Sequence, residues 1–186
     1  MHDADTLKAK AEALEQFVPP EYDALPEIDL YMDQVISYLN RLLCSVCRSD
    51  DGAPLTPSMI NNYVKGGYVA RPVQKKYSRD RIAMLYMLCC VKQNLTIPEA
   101  AALLDDSDAE QLYARFRALQ KETLQSAARD ADLSESKDES ALRMTALRLI
   151  LHSAAERLLA EEIIARLVKS EESTDTAKKQ KKQNKE

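Results

Sequence analysis

Glycine occurs at only three of the 186 positions, and two of them, Gly66 and Gly67, stand side by side. Most of the remaining chain is Leu, Ala, Glu, Lys, Gln and Arg, whose straight side chains lose little rotamer freedom in a helix. Helix is therefore favoured almost throughout, and the expected fold class is mainly α. An apolar share of 45% is enough to bury a core. The length suits one domain, or one small domain with a helical appendage.

The helix boundaries follow from caps and breakers. Residues 3–16 read as a short helix with Leu7, Ala11 and Leu14 on one side, ended by Val18-Pro19-Pro20 and an extended linker to Pro26. Asp29 reads as the N-cap of a helix of about five turns, residues 30–48. Its apolar positions Met32, Val35, Ile36, Leu39, Leu42, Leu43 and Val46 recur at three- and four-residue spacing and give one buried stripe. Residues 49–54 form a turn by composition. Thr56 then caps a short helix with Pro57 in its first position, and Gly66-Gly67 closes it. Residues 68–77, with one Pro, two Val and a basic cluster, read as a small β-hairpin or extended wing. Ser78 caps a helix over 79–93 and Thr96 another over 97–104. Two longer helices are expected at about 107–130 and 138–169. From Ser170 the chain has no apolar residue but Ala177, so a disordered charged tail is expected.

Charge is distributed unevenly. The formal net charge is −4, yet residues 54–93 hold 7 Lys/Arg against a single Asp, while residues 1–53 hold 4 against 11 Asp/Glu. A local basic face matters more to a phosphate backbone than the whole-chain balance does.

The strings Leu55-Thr56-Pro57-Ser58-Met59-Ile60-Asn61-Asn62-Tyr63, Gly66-Gly67-Tyr68-Val69, Lys76-Tyr77-Ser78 and Leu95-Thr96-Ile97-Pro98-Glu99-Ala100 resemble the DNA-binding domain of MerR-type regulators. The resemblance is closer to a bacterial family, the domain of unknown function 1836 family. It runs from about Leu25 to Leu104 and includes the Asp29-Leu30-Tyr31-Met32-Asp33-Gln34 entry. It implies a MerR-like winged helix-turn-helix with a small β wing, followed by two longer C-terminal helices. The domain plan is then an N-terminal helix and linker (1–24), the winged domain (25–105), a helical region for dimerisation or packing (106–169) and the tail (170–186).

On the short helix 57–65, Ile60, Val64, Met59 and Tyr63 point to the core by spacing. Ser58, Asn61, Asn62 and Lys65, at i, i+3, i+4 and i+7, make one polar face. Asn pairs two-pronged with adenine, Ser donates or accepts, and Lys reaches guanine or phosphate. Any short surface helix turns polar residues outward, but Asn is a poor helix former and two in succession call for a reason. The wing supplies Arg71, Lys75 and Lys76, and Arg79 and Arg81 open the next helix. Cations at a helix N-terminus oppose its dipole, so phosphate contact is a natural use for them. Tyr63, Tyr68 and Tyr77 either present hydroxyls to phosphate or pack their rings between helix and wing.

Cys44-Ser45-Val46-Cys47 has metal-ligand or redox spacing, and Cys89-Cys90 would complete four thiolates. Both pairs fall inside amphipathic helices, where a buried Cys acts as a small hydrophobe, so that reading is preferred to zinc binding or redox sensing, and no metal or other cofactor is expected. His2 and His152 sit in no catalytic pattern, and no Gly-rich phosphate loop or nucleophile elbow occurs, so an enzyme is not expected. No apolar run reaches the roughly 18 residues of a membrane span, no secretory signal opens the chain, and a cytoplasmic location is expected. The leading expectation is a transcriptional regulator that binds double-stranded DNA as a homodimer, without an identifiable small-molecule ligand. The two long helices either dimerise or fold back on their own domain. A second reading is a helical protein-interaction module whose winged fold is not used on DNA.

Overall fold

The computed structural model describes residues 2–47, 53–104, 108–131 and 138–183 and, within those ranges, the side chains of residues 6–168. The turn expected at 49–54 and the Asp105-Asp106 boundary lie largely outside the described residues. Seven α-helices and one two-stranded sheet make up the described chain: α1 (His2–Gln16), β1 (Leu30–Tyr31), α2 (Met32–Leu43), α3 (Pro57–Lys65), β2 (Lys76–Tyr77), α4 (Arg79–Val91), α5 (Ile97–Leu103), α6 (Ala109–Asp130) and α7 (Glu139–Gln183). The protein is mainly helical.

Helix α4 is the hub. Ile82, Ala83, Leu85, Tyr86, Met87, Leu88 and Cys89 are all buried on it, and α2, α5, α6 and β2 pack around it. A helix apolar on every side belongs in the middle of a domain. The partner faces follow the expected stripes. Helix α2 buries Val35, Leu39 and Leu43 at four-residue spacing, and α3 buries Ile60 and Tyr63. Helix α6 adds Tyr113, whose ring meets Tyr86 edge-on at 6.1 Å, with Phe116 also edge-on to Tyr86 at the same distance. Offset and edge-on aromatic pairs of this kind add about 1 kcal/mol each beyond the area they bury.

The chain departs from the expected boundaries in three places. Asp29 does not cap α2. Leu30 and Tyr31 are drawn into β1, and Tyr31 becomes the N-cap, its N–H donating to Gln34 Oε1 at 2.9 Å. Helix α2 also stops after three turns at Leu43, not at residue 48. The wing is a tight hairpin, but its return strand β2 pairs antiparallel with β1, in register Leu30↔Tyr77 and Tyr31↔Lys76. The sheet therefore ties the entry of α2 to the entry of α4. Lastly, α7 continues to Gln183 where an unstructured tail was expected. Ala, Lys, Gln and Glu are good helix formers, and extending an existing helix avoids the cost of nucleating a new one.

The expected linker between α1 and β1 is present, with one 3₁₀ turn at Tyr22–Ala24. Two of its three prolines are fastened to α6. The Tyr113 hydroxyl donates to the Pro20 carbonyl at 3.0 Å, and Arg117 Nε donates to the Pro19 carbonyl at 2.8 Å. No helix among the described residues is long and apolar enough to cross a membrane.

Candidate nucleic-acid interface

Helix α3 owes its position to both of its ends and to a clamp from α2. At the start, Thr56 Oγ1 accepts the Met59 N–H at 3.4 Å, with Pro57 in the first turn. At the end, the Tyr68 N–H donates to the Tyr63 carbonyl at 3.0 Å and the Gly67 N–H to the Val64 carbonyl at 3.2 Å. That pair of bonds is a Schellman cap, and it needs the left-handed residue that Gly67 supplies at φ +78°. Gly66 matters for a different reason, because a Cβ there would meet the Tyr68 ring and force it to shift. The clamp is Asn40. Its Nδ2 donates to the Leu55 carbonyl at 3.0 Å and its Oδ1 accepts the Leu55 N–H at 2.8 Å. One side-chain amide thus pairs both polar groups of a residue that is itself fully buried, just ahead of α3.

With α3 so held, Ser58, Asn61, Asn62 and Lys65 are all exposed. Met59 and Val64 are half-buried, and Ile60 and Tyr63 are buried. The two faces fall where the spacing puts them.

The hairpin turns through Gln74 and Lys75, both with positive φ (50° and 66°), and is closed by Val73 N–H to Lys76 C=O at 3.0 Å and Lys76 N–H to Val73 C=O at 2.9 Å. Two successive positive φ values mark a type I′ turn, the form whose twist matches paired strands. Neither residue is Gly, Asn or Asp, so the conformation is held at some cost. It carries Lys75 at the tip, exposed, with Arg71 exposed on the approach.

The remaining proposed contacts are more committed to the fold. Lys76 is half-buried, with Nζ 5.1 Å from the centre of the Tyr31 ring. Arg79 donates to Asp23 Oδ1 at 3.2 Å and lies over the Tyr22 ring at 5.4 Å, while the Tyr22 hydroxyl donates to Asp80. Burial, then the Asp80 carboxylate, pushes the Tyr22 hydroxyl well above its ordinary value. Arg81 Nη1 donates to Ser78 Oγ at 3.0 Å. The Nε–H groups of Arg79 and Arg81 are buried without a partner among the described residues. Tyr63 (4% exposed) and Tyr77 (1%) are core rings, so packing is their role and their hydroxyls do not face outward. Burial raises both hydroxyls. Tyr68 is half-buried, its ring on Gly66.

The exposed, unburdened part of the surface is therefore Ser58, Asn61, Asn62, Lys65, Arg71 and Lys75. Asn40 is the positioning residue that periodicity alone did not single out. Its signal in the sequence is a lone amide beside Leu39 on the buried side of an otherwise apolar stripe. Among the described residues, no group of three or more His, Cys, Asp or Glu side chains is arranged to hold a metal ion.

Residues 20–123 match the model of a domain of unknown function, DUF1836. The chain belongs to this family. The DUF1836 segment begins at Pro20 and runs through the first two-thirds of α6, past the expected domain edge at residue 105. The structure gives a reason for that extent, since Tyr113 and Phe116 on α6 complete the shell around Tyr86. No curated protein and no solved structure matches the chain.

Proposed function

We propose that the protein is a DNA-binding transcriptional regulator that reads duplex DNA with α3 and steadies itself on phosphates with the following hairpin, in the manner of a MerR-like winged helix-turn-helix. The observation that carries this reading is the exposed face Ser58, Asn61, Asn62 and Lys65 on a short helix fixed at both ends. Asn and Ser on such a face have the donors and acceptors to read base edges in a major groove. Lys75 and Arg71, free of intramolecular ion pairs in the described structure, suit contacts that position without specifying sequence. Arg79 reaches a phosphate only by leaving Asp23, so it ranks below them. This reading assigns no catalysis and no cofactor, and it places the protein in the cytoplasm with its DNA.

A homodimer belongs to the same proposal, because one reading helix covers only half of a two-fold operator. Helix α7 offers the surface. Its Ile164 side is buried, and α5 is the neighbour it packs on, but eight large apolar side chains on α7 are 40–70% exposed, against one on α6. Contiguous apolar surface left uncovered marks a place where a partner packs. The same strip favours a second reading, a helical protein-interaction module with no use for DNA.

Selection of bound sequences from a random duplex DNA pool, run beside an Asn61→Ala, Lys65→Ala variant, separates the two. An enriched motif that the variant loses is the expected result. Absence of any enrichment in either protein overturns the regulator and favours the interaction module. Salt dependence alone decides nothing, since any basic patch produces it.

A further inference from the structure

Three of the four cysteines converge where the end of α2 meets the C-terminal half of α4. Cys47 Sγ donates to the Cys89 carbonyl at 3.7 Å, and its thiol and that of Cys90 act on each other. Gln120 on α6 donates to Cys90 Sγ at 3.4 Å, and Tyr86 holds Gln120 by a 2.7 Å bond from its hydroxyl to Oε1. Cys44, the other member of the Cys-x-x-Cys spacing, is exposed and takes no part; its thiol is turned to the Arg41 carbonyl.

The two bonded thiols are unlike each other. The hydrogen bond from Cys90, helped by the nearby Lys92 ammonium against the opposing effect of burial, lowers Cys47 below the ordinary thiol value. The same hydrogen bond, then burial, raises Cys90 strongly. The two shifts run in opposite directions, so Cys47 gives up its proton more readily than Cys90. A thiolate is the nucleophile in sulfur chemistry, and a neighbouring thiol is what resolves its oxidised form. Cys47 is half-buried, so a small oxidant reaches it, and it sits in the turn after α2.

We propose that Cys47 and Cys90 form an oxidation-sensitive dithiol that a hydroperoxide converts to a disulfide. The Cys47 sulfur attacks the outer peroxide oxygen, the O–O bond breaks, and the leaving oxygen takes a proton to depart as water (or as an alcohol from an organic peroxide). The Cys47 sulfenic acid is then attacked by Cys90 sulfur, forming the S–S bond and releasing the hydroxyl as water with the Cys90 proton. Two thiols are oxidised by two electrons, and one peroxide is reduced. The bond encloses α3, the hairpin and most of α4 in one covalent loop, and cellular thiols reverse it by exchange.

The test is hydrogen peroxide on the reduced full-length chain, followed by intact mass and peptide mapping without reductant. The expected result is loss of two hydrogen masses, one Cys47–Cys90 linked peptide, and a higher urea midpoint for the oxidised chain. Cys44→Ser leaves all three unchanged. Cys90→Ser instead accumulates Cys47 as a sulfenic acid, captured by dimedone. A native chain in which Cys47 and Cys90 stay unlinked at peroxide concentrations that oxidise exposed Cys44, or a linkage that joins Cys44 to Cys47, overturns the proposal without reference to any variant.

Discussion

Asn40 shows how one side chain sets the pose of a short helix, α3. Removing it leaves the N–H and C=O of Leu55 buried and unpaired, and each such loss costs about 1–3 kcal/mol. Asn40→Ala is expected to lower stability by roughly 3 kcal/mol and to loosen the start of α3, seen as a lower urea midpoint and faster amide exchange over residues 55–60. Asn40→Asp keeps the acceptor for the Leu55 N–H but turns a carboxylate oxygen toward the Leu55 carbonyl. It is expected to lose at least as much, and equal stability for Asn and Asp would show that the carbonyl bond is idle. Buried hydroxyls and thiols give a second residue-level expectation. Burial raises Tyr63, Tyr86 and Tyr113, and it pushes the Cys89 thiol from an ordinary value of 9.0 up to about 12. A raised value in the fold means that the native state keeps its proton where the unfolded state has lost it. The stabilisation is therefore complete below about pH 9 and is lost progressively from there toward about pH 12. A urea midpoint that stays flat across that window, or tyrosinate absorbance that appears before unfolding, would contradict the burial described for these groups.

At the scale of elements, what could be read from the chain was whatever local chemistry decides. The Thr56-Pro57 start and the double-glycine stop bound α3 as expected, because a cap and a left-handed residue act within one turn. The same is true of Thr96, whose N–H and hydroxyl both donate to Glu99 and hold that carboxylate below its ordinary value. Asp29 is the counterexample. It is a good cap by type, but Leu30 and Tyr31 find a strand partner in Lys76 and Tyr77, forty-odd residues on, and pairing across that distance leaves no local mark. The hairpin yields a prediction of its own. Gln74 and Lys75 occupy left-handed positions that Asn-Gly adopts with less strain, so Gln74→Asn with Lys75→Gly is expected to stabilise the protein by about 1 kcal/mol in urea unfolding. If Lys75 contacts phosphate, the same variant binds DNA more weakly while folding better. Gly67→Ala runs the other way, costing about 1 kcal/mol at φ +78°. Stability and binding moving together in the hairpin variant would mean that the tip serves only the fold.

Across the whole molecule, the polar face of α3 was visible in spacing, whereas the competition for its supporting cations was not. Arg79 and Asp23 are far apart in sequence, and only the packing of the 3₁₀ turn against α4 brings them to 3.2 Å. The role of the long C-terminal helices was likewise open, since an apolar stripe reads alike whether it meets its own domain or another copy. Packing divides them: α6 is held between α1 and α4 and closes the core through Tyr113, while α7 rests on α5 and leaves a broad apolar side bare. Met144, Leu147, Leu151, Ala154 and Leu158 run along that side at alternating three- and four-residue spacing, the period of a helix that pairs with another helix. The flanking arginines Arg143, Arg157 and Arg166 are already matched to carboxylates one turn away on α7, at 2.5, 2.7 and 3.7 Å. With three of the four arginines of residues 139–168 matched along their own helix, and Arg148 donating to the Asp130 carbonyl, this side suits self-association better than attraction to a strongly charged partner. Sedimentation of the full chain at micromolar concentration is expected to show a dimer. Leu151→Glu, placed where the side chain is 66% exposed in the single chain, is expected to give a monomer with an unchanged helical spectrum and little change in unfolding at low concentration. A wild-type chain that sediments as a monomer removes the dimer from the proposal. A Leu151→Glu variant that unfolds instead of dissociating would mean that this side of α7 packs within its own chain. Sequence selection with the monomeric variant then carries the consequence to function, because two linked reading helices favour a two-fold site and one alone reads only its half.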